Sequence, residues 1–94
     1  MIVISLTPTA SPEQLEPFRK AHMAWAAKAL EEGLLLAGGR LVPPTGGYML
    51  ARNDRTAVEA WIAEEPFAQQ GLAELSLTEV MIMSVAPGLE ALKA

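Results

Sequence analysis

Prolines and glycines cut this chain into short segments whose hydrophobic period switches between two and 3.6, and that switching leaves few folds open. Ile2 to Thr7 is short and β-branched, and Pro8 closes it, so it reads as a strand. Ser11-Pro12-Glu13-Gln14 has the form of a helix start: Ser11 can cap, Pro12 suits the first helical position and Gln14 completes a capping box. The helix is expected to run to about Glu32, with Gly33 in the left-handed position that ends it. Pro17 is the awkward residue. In a helix that starts at Ser11 it removes a backbone hydrogen bond and kinks the axis, whereas a start near Leu15 leaves it harmless in the first turn.

Leu15, Phe18, His22, Trp25, Ala26 and Ala29 recur at three- and four-residue steps, forming one apolar stripe with His22 in its middle. Lys20, Lys28 and Glu31 lie off it. Leu34 to Ala37 shows no polar alternation, as in a strand buried on both faces, and Gly38-Gly39 is expected to break or bend it. Pro43-Pro44-Thr45-Gly46-Gly47 is a turn cluster, and Tyr48 to Ala51 reads as the third strand, hairpinned to the second. Asn53-Asp54 can cap a second helix through Ala63, burying Val58, Trp61 and Ile62. Pro66 interrupts it at Glu64-Glu65 by disfavouring helical geometry at the preceding residue, and a short turn is expected to Gly71. The last strand is expected over Leu75 to Val85, with Leu75, Leu77, Met81, Met83 and Val85 on one face.

The order β, α, β, β, α, β predicts an α+β domain of ferredoxin-like type, a four-stranded antiparallel sheet with two helices on one face. Ninety-four residues fit a single domain spanning 1–94. The uncovered sheet face carries apolar and hydroxyl residues and would be a sizeable patch on a monomer. The chain is also 51% hydrophobic, more than one small core needs. A second copy packed sheet to sheet accounts for both, so a homodimer through the open sheet face is expected.

Several functions are excluded by composition. There is no cysteine, hence no disulfide, thiolate catalyst or cysteine-held zinc, and a single histidine rules out a His-rich metal site within one chain. A carboxylate-rich site remains open to composition, but no EF-hand pattern is present, and neither a metal nor a cofactor is expected. Net charge is −4, and the seven Lys and Arg are scattered, so neither nucleic acid nor an anionic membrane surface is an expected partner. No apolar run reaches the roughly 18 residues of a membrane span, and the apolar N-terminus lacks the basic residues of a leader. A cytoplasmic protein is expected.

The residues with chemistry to offer are few. A lone histidine on an apolar stripe is more often structural than catalytic, and His22 has no polar neighbour at steps of four. Two carboxylates at a helix break are usually solvated, yet the break can turn one of Glu64 and Glu65 inward. If Glu65 met His22 it would orient the ring and stabilise its charged form, making a general acid–base pair. Arg19, one turn before His22, can attract an anionic group, although a solvated surface charge is the plainer reading. Gly38 and Gly39 permit close approach of a ligand to backbone, but no Lys-Ser/Thr follows them as in a phosphate loop.

Three segments carry a resemblance. Arg19-Lys20-Ala21-His22 is similar to an Arg-x-x-His on a first helix, Leu35 to Gly39 to a segment that reads small residue, Gly, Pro, and Glu65-Pro66-Phe67-Ala68-Gln69-Gln70-Gly71 to Asp-Pro-Phe/Tyr-x-x-x-Gly. Their order and spacing over roughly residues 1 to 88 resemble the YciI-like (YCII-related) proteins. The resemblance implies a ferredoxin-like fold, a dimer of the dimeric α+β barrel type, and a catalytic pair of His22 with Glu65 in a cleft. Arg19, Gly38 and Gly39 would then bind substrate. It departs from the pattern at Glu65, where the family has Asp, and at Gly39-Arg40, where Gly-Pro is usual. The function implied is a cofactor-free lyase or isomerase on a small cyclic anionic or phenolic metabolite. The competing readings are a non-catalytic ligand-binding or accessory dimer and a cofactor-free monooxygenase.

Overall fold

The computed structural model describes residues 1–93. In chain order they form β1 (Ile2–Pro8), α1 (Pro12–Leu15), α2 (Arg19–Glu32), β2 (Leu35–Arg40), β3 (Gly47–Ala51), α3 (Arg55–Ile62), α4 (Pro66–Gln69) and β4 (Ala73–Glu79). A four-stranded antiparallel sheet of order β2-β3-β1-β4 results, with the helices over one side: the expected ferredoxin-like α+β fold.

Strand alternation decides which residues make the core. On β1, Ile2, Ile4 and Leu6 are buried while Val3 and Ser5 face the other way. The register carries the buried side across the sheet, setting Ile4 between Met49 and Leu77, and Leu6 between Gly47 and Leu75. Leu15, Ala29, Val58 and Phe67 close the core from the helical layer. The opposite face holds Ser5 and Ser76, whose hydroxyls hydrogen-bond each other, and Tyr48, which is half exposed.

The first helix begins where its sequence says, with the full capping box at Ser11 and Gln14. Pro17 is accommodated differently from either expectation. Glu16–Phe18 tightens into a 3₁₀ turn, so one amphipathic segment becomes α1 and α2 in succession. Gly33 ends α2 at φ 77°, as expected.

Two strand boundaries correct the sequence reading. Gly38-Gly39 does not interrupt β2, which continues to Arg40; the irregularity is a bulge at Leu36, between Leu35 and Ala37. β4 stops at Glu79 rather than Val85 because its partner ends: β1 begins at Ile2, and the Val80 amide takes the last available acceptor, the Met1 carbonyl. Beyond it Met81 and Met83 lie exposed and outside the strand, instead of continuing the face that carries Leu77.

Candidate functional site

The residues around His22 come from the middle of α2 and from the junction of α3 and α4. Ala63 caps α3, and the chain turns at Glu64 and Glu65 before Pro66 opens α4. Proline at the first helical position makes Glu65 the N-cap, with extended backbone at φ −62°, ψ 123°. Its carboxylate folds over the start of α4, where Oε1 accepts from the Ala68 amide at 2.8 Å and Oε2 from the Phe67 amide at 3.0 Å. The N-cap geometry thus turns Glu65 inward and leaves Glu64 exposed. Glutamate is an uncommon cap because its extra methylene must be folded back. Here the fold-back leaves Oε2 within 3.0 Å of His22 Nδ1.

The Glu65 side chain is wholly buried and that of His22 is 22% exposed. Burial alone would push the Glu65 carboxyl up. The hydrogen bonds from His22 and from the Phe67 and Ala68 amides outweigh it and hold the group below its ordinary range. An ionised carboxylate only accepts, so Nδ1 must carry the proton it shares with Oε2. Nε2 is then the basic nitrogen of the neutral ring. It bonds no described residue, and no buried side-chain nitrogen or oxygen among the described residues lacks a partner, so Nε2 reaches solvent.

The ring is fixed on its faces as well. Phe67 stacks on it with centroids 4.8 Å apart, and Trp25 lies tilted at 5.5 Å. Trp25 in turn stacks on Trp61 at 3.9 Å and 4°, and its indole N–H donates to the Trp61 carbonyl at 2.9 Å. This stack ties α2 to α3 immediately before the turn that carries Glu65. The arrangement is an imidazole held in one tautomer by a buried carboxylate and in one plane by aromatic rings. Chemically it can take a proton at Nε2 and return it.

Family comparison agrees with the residue pattern: the model of the YCII-related domain matches residues 1–81. The chain belongs to the YCII-related family. No curated protein matches it. The match ends just past β4, so the YCII-related domain comprises the whole sheet, its helices and both members of the pair.

Of the other site residues expected from sequence, the structure gathers less around His22. Arg19 sits on α2 beside His22 in sequence but is engaged at the surface by Glu16, Nε to Oε2 at 2.8 Å. Gly38 and Gly39 lie on the edge strand β2. With Arg40, Tyr48 and Leu50 they line a shallow concavity at the β2–β3 edge, which does not include His22. Among the described residues no cluster of three or more His, Asp or Glu could hold a metal ion, and no helix is long and apolar enough to cross a membrane.

Sequence reasoning missed Phe67 as the ring's stacking partner and the mutual docking of the two tryptophans. The Phe67 signal was present: an acid followed by proline marks a helix start, which places the next residue in the first turn beside the capping carboxylate.

Proposed function

We propose that this YCII-related domain is a cofactor-independent acid–base catalyst, a lyase or isomerase acting on a small cyclic anionic or phenolic metabolite, with His22 as the base and Glu65 as its positioning partner. The observation that carries the reading is the 3.0 Å contact between His22 Nδ1 and a fully buried, ionised Glu65, with Nε2 left to reach solvent. Nε2 removes a proton from an activated C–H of the substrate. The resulting imidazolium is held by the Glu65 carboxylate while the electron pair shifts to form or move a double bond. His22 then returns the proton to the displaced double bond or to the leaving group, so no redox partner is needed. A positioned base of this kind is worth roughly 10²- to 10⁴-fold in rate.

Gly38 belongs to the helix-covered side of β2, in register with Met49, and leaves the rim facing α2 without a side chain. Arg19 can meet an anionic group only by leaving Glu16, and an exposed pair of that kind costs under about 1 kcal/mol to break. The protein is further proposed to be cytoplasmic and to work as a homodimer through its open sheet face. Tyr48, half exposed on the open face opposite Ser5, supports the dimer. A solution mass of twice the 10.0 kDa chain supports it, and a monomeric mass at micromolar concentration contradicts it.

The test works whatever product the reaction yields. Small cyclic acids and phenols are incubated with the protein in D₂O and scanned by NMR for exchange of C–H protons. Exchange lost in His22→Gln with the fold intact supports the catalytic reading; exchange unchanged in that variant contradicts it.

A second reading is favoured by one observation: Glu65 already has a structural role as the cap of α4, and Phe67 and Trp25 pack the ring. In that reading the domain binds its ligand without transforming it. Saturable binding with no proton exchange in any ligand that binds would select it.

A further inference from the structure

We propose that Arg40 holds the anionic end of the ligand at the His22 site and makes the site selective for carboxylates over neutral rings. The inference rests on the reading of His22 as the working base. Three of the four arginines are occupied: Arg19 by Glu16 at 2.8 Å, Arg52 by Asp54 at 3.8 Å, and Arg55 by Glu59 at 2.8 Å and Glu79 at 3.5 Å. Arg40 is exposed and makes no ion pair or side-chain hydrogen bond with any described residue. Among the described residues it is therefore the one arginine available to a ligand.

Its position follows from the topology. α2 and β2 are joined through Gly33 by a tight reversal, in which the Leu34 amide donates to the Ala29 carbonyl at 3.0 Å, and α2 packs against β2. Both elements can therefore be measured from the reversal that joins them, α2 from Gly33 and β2 from Leu35. Going back along α2, His22 lies eleven residues before Gly33, about 16 Å at roughly 1.5 Å per residue. Going forward along β2, the bulge at Leu36 takes up one residue, so from Leu35 (opposite Ala51) to Arg40 (opposite Gly47) the strand advances four ladder positions, about 13 Å at roughly 3.3 Å per residue. His22 and Arg40 thus lie toward the same end of the domain.

The register then gives the side. Arg40 pairs with Gly47, and Gly47 with Leu6, which is buried beneath the helices. Arg40 therefore belongs to the helix-covered side of the sheet, two residues along from Gly38 on that same side. Gly38 and Gly47, its neighbours along and across the ladder, carry no side chain to fill the space. A planar, always-charged guanidinium on the helix-covered side of the sheet, toward the end that carries His22, matches a small ring bearing a carboxylate: the fork takes the anion and the ring faces the imidazole.

The experiment follows the His22 imidazole and Trp25 indole resonances during titration with benzoate and with its neutral counterpart benzamide at pH 7.5. Benzoate is expected to shift both at a Kd at least tenfold below that of benzamide. Arg40→Gln should remove that difference, Arg40→Lys should retain part of it, and Arg52→Gln, which removes a positive charge elsewhere, should leave it unchanged. Equal affinity for the two probes, or benzoate binding unaltered in Arg40→Gln, overturns the proposal while leaving the His22 site standing. If neither probe moves His22, the site itself is not a binding site, and both readings fall.

Discussion

Oε2 of Glu65 accepts two hydrogen bonds, one from the first turn of its own helix through the Phe67 amide and one from His22 Nδ1 on α2, both at 3.0 Å. One buried oxygen therefore links the start of α4 to the orientation of the imidazole. Substitutions at Glu65 should affect folding and chemistry together, and the two effects can be separated by choosing the replacement.

Glu65→Ala removes the cap and orphans His22 Nδ1 and two amides, one of them buried. A lost cap costs about 1 kcal/mol, and an unsatisfied buried polar group about 1–3 kcal/mol. The variant should lose on the order of 2–4 kcal/mol in urea unfolding. Glu65→Gln keeps an acceptor oxygen for α4 and should lose about half as much. Equal stability of the two variants would show that the carboxylate caps nothing.

Because the Glu65 carboxyl is held below its ordinary value in the folded protein, it binds a proton more weakly there than in the unfolded chain. Its contribution is therefore fully present above about pH 4.5, the ordinary glutamate range, and is lost as pH falls through the lower folded value. The urea midpoint should drop on acidification through that window. The drop should be smaller in Glu65→Gln, which has nothing to protonate. Parallel curves for the two proteins from pH 6 to pH 3 would contradict the assignment.

The stacked indoles of Trp25 and Trp61 give a spectroscopic signature of the layer that carries the site. Two transition dipoles 3.9 Å apart should couple and produce an exciton pair in the far-ultraviolet circular dichroism. Either Trp25→Phe or Trp61→Phe should abolish the pair completely, since coupling needs both rings. A signal halved in each single variant would mean that the indoles are independent.

Two glycines should differ sharply in their tolerance of alanine. At Gly33 (φ 77°) nothing lies within 4 Å of an added Cβ, so the substitution meets only the cost of a left-handed conformation, about 1 kcal/mol. At Gly46 (φ 156°) the Cβ would stand 2.5 Å from the Leu6 carbonyl oxygen, in the backbone of the central strand. Gly46→Ala should be the costlier by at least about 1–2 kcal/mol, read as a lower thermal midpoint. The reverse order would contradict the hairpin geometry.

The fold was legible because its signals are local. Ser11, Gln14, Gly33 and Asp54 each declare a helix end by their own chemistry, and the structure uses all four as caps. What was misread depended on partners distant in sequence. The alternation from Leu75 to Val85 is a genuine strand pattern, but a strand needs something to pair with, and β1 runs out at its own first residue. Pro17 looked like a choice between two helix starts, while a 3₁₀ turn resolved it without moving the start. At the site, nothing in the neighbourhood of His22 identifies a carboxylate 43 residues away. The family pattern paired it with Glu65. The physical reason, a cap that folds its side chain back over α4, appears only once Pro66 is read as the first residue of a helix.

The most direct test of the central claim is the tautomer of His22. A long-range ¹H–¹⁵N spectrum of the single histidine, recorded at about pH 8.5, well above the ~6.5 of a free imidazole, distinguishes the two ring nitrogens. The proton should reside on Nδ1 in the wild type, leaving Nε2 unprotonated, and the ring should revert to a mixture in Glu65→Gln. A wild-type ring protonated on Nε2 alone, or one unaffected by Glu65→Gln, would mean that Glu65 does not position His22, and the acid–base account would fail.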